Sequence, residues 1–237
     1  MKNQIKKKKL IDIILLCGGK GKRLKKISKG SAKSLVIIKK NLTVLDLILQ
    51  KIRKNRFRKI YISINLKKKK DFLNFKKKRK EIFKIITEKK YMGTGGAIKH
   101  AIKKKNISDP FMVINGDTLS KATSNLNIFF KSVRQEKKSV VGISKNKSNK
   151  RFGIVKFSRN KVNSFQEKKG TGSWINNGHY LFFKDNFKIV KSKIFSLEND
   201  LLPRLVEKKK LNCVKFENDT FQDIGTVSSF NKLKNKF

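Results

Sequence analysis

The sequence predicts an α/β fold, with a mostly parallel sheet and helices on both of its faces. Three observations carry that prediction. Apolar runs of strand length recur along the chain, segments with helical spacing fall between them, and glycine- or carboxylate-bearing turns follow several of the runs directly. Such turns belong at the carboxyl ends of parallel strands, where ligands bind.

The first run, 11–17 (IDIILLC), is nearly continuous in apolar residues, as suits a strand buried on both faces. Segment 44–55 (VLDLILQKIRKN) sets Val44, Leu45, Ile48, Leu49 and Ile52 at helical spacing. Strands follow at 59–64 (KIYISI) and 82–86 (IFKII). Segment 95–104 (GGAIKHAIKK) repeats Ala97 and Ile98 at Ala101 and Ile102, one face of a helix. Further strands read at 111–115 (FMVIN) and 139–143 (SVVGI), which completes a βαβαβ pattern. Beyond about 150 the strands become shorter and more polar, at 153–157, 178–183 and 213–217, as in a subdomain laid over the sheet edge. Helices near 197–208 and 226–234 close the chain. Pro110 and Pro203 sit where elements should begin or turn. No repeat of fixed period and no Pro/Ser/Gly linker interrupts this order, so residues 1–237 are expected to form one domain. Its two parts would cover about 10–145 and about 150–237.

Hydrophobic residues make up 38% of the chain, below the usual ~45–50% but enough for a core. The charge is extreme, with 62 Lys+Arg against 16 Asp+Glu and a formal net charge of +46. A nucleic-acid partner would explain a basic face. Against it, lysine runs recur along the whole chain (6–9, 67–70, 76–78, 103–105, 208–210), and aromatics do not interleave with them as a stacking platform requires. Nucleic acid is therefore not expected as the main partner. Cys17 and Cys213 are too few and too far apart for a disulfide framework or a zinc cluster, and His100 and His179 do not make a histidine-rich metal site. His179 reads as a surface or packing residue in an alternating strand, and His100 as structural. The opening KKKKLIDIILLCGG resembles an export signal, but its apolar run is short, is broken by Asp12 and ends on the bulky Leu16 before Cys17. No stretch approaches the ~20 apolar residues of a membrane span, so a cytoplasmic protein is expected. A homo-oligomer is left open.

Four turns could carry chemistry. In CGGKGKRL, Gly18, Gly19 and Gly21 let backbone approach a ligand, and Lys20, Lys22 and Arg23 add charge. The turn lacks the spacing and GK[ST] ending of a P-loop, and Leu24 stands where a dinucleotide fingerprint has its third glycine. YMGTGGAI (91–98) opens a helix on glycines, and helix N-terminal amides favour anions or carbonyl acceptors. In VINGDTL (113–119), Asp117 follows an apolar strand directly, a place for a hard cation such as Mg²⁺ as well as for a turn or cap carboxylate. FQDIGTV (221–227) sets Asp223 before Gly225. Read singly, each turn fits an ordinary loop or cap too.

In this order, however, the blocks resemble the sugar-1-phosphate nucleotidyltransferases. LLCGGKGKRL is similar to that family's opening LAGGxGTRL loop, and EKKYMGTGGAI, VINGDT, FGIV, FQEKK, INNGHYLF, SLENDLLPRL and FQDIGT follow in the family's sequence over about 11–230. The style of the GTGGAI and NNG-YLF blocks most resembles the heptose- and mannose-type 1-phosphate guanylyltransferases. The resemblance implies the nucleotide-diphospho-sugar transferase fold, a Rossmann-like three-layer αβα sandwich. It implies that an NTP, by the same likeness GTP, reacts with a manno-heptose or hexose 1-phosphate to give a nucleotide sugar and pyrophosphate for surface-glycan synthesis. Leu16, Cys17, Gly18, Gly19 and Gly21 would hold the nucleotide, Arg23 its β/γ-phosphates, and Lys33 would neutralise charge near the α-phosphate. Glu88 with Gly93, Gly95 and Gly96 would read the base. Asp117 and Asp223 would hold Mg²⁺. Lys168 would grip the sugar's phosphate, and Gly153, Glu167 and Asn177 would line the sugar pocket.

The chain departs from that pattern at a few places. Lys22 replaces a usual Thr, Ala32 the Pro before Lys33, Met92 a common Leu and Asn177 a common Gly, while Cys17 takes a small-residue position and is expected to pack as a thiol. Two other readings stand beside the enzyme: a basic nucleic-acid-binding module, and a non-catalytic nucleotide-sensing relative. The first predicts that Asp117 and Asp223 are dispensable. The second predicts loss of at least one member of the set Arg23, Lys33, Asp117, Lys168 and Asp223, all of which are present.

Overall fold

A computed structural model describes residues 10–19, 21–28, 30–133, 137–145, 151–168, 172–219 and 221–236. The lysines at 6–9, Lys20 and the side chain of Lys22 lie outside the described residues. The first half is the expected alternation. Strand β1 (Asp12–Leu16) runs into a short helix α1 (Lys25–Ser28) and a small hairpin, β2 (Ile37–Lys39) and β3 (Leu42–Thr43). Helix α2 (Val44–Ile52) then leads to β4 (Lys59–Asn65), α3 (Lys69–Arg79), β5 (Lys84–Glu88), α4 (Gly93–Lys104) and β6 (Phe111–Asn115). Parallel pairing places β1 between β4 and β6, with β5 outside β4.

Local chemistry explains the boundaries. Thr43 and Asp46 form a capping box at the start of α2: the Asp46 amide donates to Thr43 Oγ1 at 3.2 Å, and the Thr43 amide to Asp46 Oδ2 at 2.7 Å. The expected helix over 44–55 ends at Ile52. Asn55 instead bridges elements, its carboxamide donating to Ile52 O and Thr123 O and accepting from the Leu126 amide. The strand expected at 82–86 begins at Lys84, with Ile82 outside it and 90% exposed. Helix α3 escaped the sequence pattern because only Phe72 and Phe75 face inward among its lysines. Lysine favours helix, so propensity carries it where periodicity is thin.

Alternation along β1 divides the core in two. Ile13 and Leu15 point to one cluster, with Leu45, Ile48, Phe72 and Phe230. Ile14 points to the other, with Ile98 and Ala101 of α4 and Leu202 and Leu205. Helices therefore cover both faces, as expected.

The sheet itself is mixed, not mostly parallel. After β7 (Thr118–Leu119) and α5 (Asn127–Lys131), the chain forms β8 (Ser139–Lys145), β9 (Gly153–Ser158), β10 (Lys161–Glu167) and β11 (Trp174–Phe182). Strand β11 enters antiparallel between β6 and β8. Helix α6 (Leu202–Glu207) precedes β12 (Leu211–Phe216), which lies parallel to β8 and antiparallel to β10, and β10 pairs antiparallel with β9. Ile154 of β9 then meets Ile175 of β11, so this half of the nine-stranded sheet curls back on itself. A continuous apolar run reports burial on both faces but carries no strand direction, which is why the sequence missed this. Strand β11 also starts at Trp174, four residues before the expected 178, and its register with β8 shifts between Asn176 and Tyr180 around Gly178, whose φ is +76°. The helix expected over 197–208 opens as a wide π turn, Leu197–Leu201, and becomes α-helical only at Leu202. Pro203 sits in the first turn of α6, where its missing N–H costs no intrahelical bond. Strand β13 (Gln222–Asp223) and α7 (Val227–Lys234) end the fold. Among the described residues, no helix is long and apolar enough to cross a membrane.

Candidate active site

The loop after β1 is anchored from both sides. The Cys17 amide donates to Ser63 O at 2.8 Å, and the Gly116 amide to Leu16 O at 3.0 Å. These groups of Leu16 and Cys17 are already used, so both residues place the loop rather than offer them to a ligand. Burial pushes the Cys17 thiol up to about 12, which makes it a packing group. A Cβ on Gly18 would lie 3.0 Å from Glu88 Oε1, and Gly21 has a φ of +63°, so these two positions require glycine-like backbone. Leu24 is fully buried and pins the loop's far end, while Arg23 before it is exposed. Ala32 adopts φ −66° and ψ 143°, the conformation a proline would impose, so the turn presenting Lys33 survives without the ring.

Glu88 ends β5 beside this loop. It is buried and accepts from Ser63 Oγ at 3.0 Å. Burial raises its pKa, and hydrogen bonds from Ser63 and the Met92 backbone oppose that rise. The neighbouring turn that opens α4 differs from a free helix N-terminus. The amides of Gly95 and Gly96 both donate to Phe195 O, at 3.1 and 3.2 Å. A Cβ on Gly95 would lie 2.2 Å from the Phe195 ring. These glycines permit close packing against Phe195, and their two donors are not available to a ligand.

At the carboxyl end of β6, against the first half of β11, lies a cleft of about 160 Å³, lined among others by Arg23, Asp117, Gly153, Glu167, Lys168, Asn177 and Asp223. The two aspartates come from distant parts of the chain. A two-residue antiparallel ladder, β7 with β13, pairs Asp223 with Thr118, and the Ile224 amide donates to Asp117 O at 3.0 Å. Lys33 Nζ reaches Asp117 Oδ2 at 3.2 Å, and Arg151 Nη2 reaches Asp223 Oδ2 at 2.6 Å. Burial, and next the charge of Asp117, raise the Asp223 pKa; Arg151 works against them. Two carboxylates facing one cleft, one of them on the buried side of the pair, fit a divalent cation. Among the described residues no third His, Cys, Asp or Glu completes a protein cage. A two-carboxylate donor set suits Mg²⁺, which keeps waters and shares its sphere with phosphate oxygens.

In the same cleft, Lys168 Nζ lies 3.2 Å from Glu167 Oε1. Burial raises the Glu167 pKa, with Lys168 opposing. Gly153 makes room for this carboxylate, since a Cβ there would lie 2.8 Å from Glu167 Oε2. Asn177 borders the cleft, but its carboxamide turns away and donates to Ser144 Oγ at 3.0 Å. Its neighbour Asn176 also lines the cleft, donating to the Tyr180 hydroxyl at 2.6 Å.

His179 is fully buried, not at the surface. Its Nε2 lies 2.8 Å from Thr123 Oγ1 and its Nδ1 2.9 Å from Asn177 O. Burial depresses its pKa from 6.5 to about 4; Asp219 opposes this and Lys51 reinforces it. The unfolded chain therefore takes up this proton at higher pH than the folded chain. Stability from the neutral ring is complete above about 6.5 and is lost as pH falls toward 4, about 3 kcal/mol over the window. Chemical denaturation from pH 7 to 4.5 should show this slope, and His179→Gln should flatten it.

Sequence reading passed over several cleft residues, three of them charged or polar groups near the carboxylates and Lys168. Arg151 and Asn115 stood in or beside quoted blocks without a role, and Glu198, inside SLEND, accepts from Thr94 Oγ1 at 2.7 Å and Ser196 Oγ at 3.0 Å. His100 and Trp174 acquire no chemical role.

Comparison with known proteins identifies the family. The family described as "Nucleotidyl transferase" matches residues 12–237. The bifunctional protein GlmU of Methanococcus maripaludis is 31% identical over 91% of this chain, but the match spans 51% of that protein, so the chain covers about half its length. The D-glycero-alpha-D-manno-heptose 1-phosphate guanylyltransferase of Campylobacter jejuni is 31% identical, over 92% of this chain and 96% of the relative. The crystal structure of HddC from Yersinia pseudotuberculosis superposes with a TM-score of 0.81 at 27% identity, covering 96% of this chain and all of that one. Its complex with GMP-PN gives 0.76.

Proposed function

The chain belongs to the nucleotidyl transferase family, and from that premise we propose that it condenses GTP with a manno-heptose or related hexose 1-phosphate, releasing pyrophosphate, in the cytoplasm. The carrying observation is the one cleft whose lining gathers Arg23, Asp117, Asp223, Glu167 and Lys168. Likeness to a heptose 1-phosphate guanylyltransferase over nearly the full length of both chains supports the sugar. Glu88 supports the base: a carboxylate accepts, and the guanine edge offers N–H donors.

Asp117 and Asp223 would hold Mg²⁺, which when bound would supply positive charge to the reacting phosphate. The rest falls to this chain. The glycine loop leaves backbone close to the triphosphate, and Arg23 offers a fork for the departing pyrophosphate oxygens. Lys33, beside Asp117, offsets charge near the α-phosphate. Lys168 orients the sugar phosphate so that its oxygen attacks in line, and Glu167 and Glu198 accept from sugar hydroxyls. No covalent enzyme intermediate is required, because positioning and charge carry the reaction.

The test is pyrophosphate release by the purified protein with GTP, CTP, UTP, ATP or dTTP against heptose, mannose, glucose and N-acetyl sugar 1-phosphates. Release should be fastest with GTP and a manno-configured substrate. Nucleotide binding without release for any pair would favour the sensing relative, and no nucleotide binding would overturn the assignment.

A further inference from the structure

The ladder that joins Asp117 to Asp223 is two residues long, too short to hold two distant segments by itself. Its neighbourhood supplies a clamp. Asp219, four residues before Asp223, accepts from Ser120 Oγ at 2.6 Å and from the Lys121 amide at 2.7 Å, just past the end of β7. It accepts a third bond from Ser144 Oγ of β8. Ser144 Oγ in turn accepts from Asn177 of β11, whose carbonyl meets His179, and His179 meets Thr123. Lys51 of α2 donates to Ser120 O at 3.2 Å. One carboxylate thus ties the chain entering β13 to β7 and β8 directly, and through Ser144 and Ser120 to β11 and α2.

We infer that Asp219 is a positioning residue for the reaction: it fixes the segment bearing Asp223 against the end of β7 and so sets Asp223 opposite Asp117. The inference rests on the proposed reading of that pair as the cation-holding carboxylates. Asp219 is not among the residues that line the cleft. It acts through backbone placement, and because an ionised carboxylate accepting three donors is stronger than neutral pairs, it can hold the placement firmly. The buried turn of Asn177, which departs from the expected sugar contact, has its explanation here: its carboxamide supports Ser144, the third donor.

The test is metal dependence in Asp219→Ala and in the gentler Ser144→Ala, which removes one donor and leaves two. Mn²⁺ binding to the full chain is read by electron paramagnetic resonance, beside the Mg²⁺ concentration that half-saturates pyrophosphate release. Asp219→Ala should weaken Mn²⁺ about 10- to 100-fold, as loss of supporting partners does at metal sites, with the GTP KM at saturating metal within about two-fold of wild type. Ser144→Ala should move the same way by a smaller factor, and the double variant should be no worse than Asp219→Ala, since both act through one contact. A lowered Tm with unchanged metal dependence in both variants would overturn the inference and leave the function standing. Wild-type protein that binds no Mn²⁺ and needs no Mg²⁺ would overturn the carboxylate reading, and the inference with it.

Discussion

Asp117→Asn is expected to lower the rate of pyrophosphate release by about 1,000-fold or more, ~4 kcal/mol of transition-state stabilisation. The substitution keeps shape and removes charge. It leaves Lys33 without its anionic partner and removes one of the two carboxylates that face the cleft from β7 and β13. Asp223→Asn should cost a similar factor, with Arg151 left unpaired. The double variant should lose little more than either single one, because two groups that act as a unit do not lose activity additively. Both aspartates are partly exposed and lie outside the apolar clusters, so circular dichroism and Tm should stay near wild type. GTP binding should persist, since the glycine loop and Arg23 are untouched. If either single variant releases pyrophosphate at the wild-type rate, the pair is not the reaction centre, and the groups that carry the reaction lie elsewhere.

The position of Asp117 was legible because a carboxylate straight after an apolar strand has few places to be except the sheet's ligand edge. The same logic placed Gly18 and Gly21, while Asp223 and Glu88 were named only by resemblance, and the structure sets Gly18 beside Glu88. Lys33 was legible too, although its proline was missing, since Ala32 adopts the same backbone unaided. What failed to show has physical causes. Neither direction nor neighbour is written in a strand's own residues, so β11 was read into a subdomain over the sheet edge, whereas it lies antiparallel between β6 and β8. Pairing partners are not written in a glycine turn, so the Gly95 and Gly96 donors were counted as free when Phe195 takes them. Arg151, Glu198 and Asp219 are single charges whose meaning lies in which distant segment they touch. In a chain with 62 Lys+Arg, one more basic residue carries almost no signal of its own.

That background makes Lys168 the sharpest test of specificity. Lys168→Ala is expected to raise the KM for the sugar 1-phosphate about 30- to 150-fold, the loss of one charged contact worth about 2–3 kcal/mol. The KM for GTP should hold, because in the proposed reaction the triphosphate falls to Arg23 and Lys33, while Lys168 pairs with Glu167. Lys168 has a left-handed backbone, φ +57°, and its amide donates to Phe152 O at 3.3 Å, so its placement is built in and not a surface accident. Removing it also strips Glu167 of its ammonium partner, and the carboxyl pKa, already raised by burial, should rise further. Lys168→Arg keeps the charge and should recover most of the affinity. The decisive comparison is Lys103→Ala on the outer part of α4, remote from this cleft. Were the overall positive field delivering the phosphate, both alanine variants would shift KM by the same small factor, and salt would erase the difference. A large effect at Lys168 that persists at 0.3 M salt, with none at Lys103, would show that the chain recognises its sugar phosphate by one placed ammonium and that the remaining lysines are solvated surface.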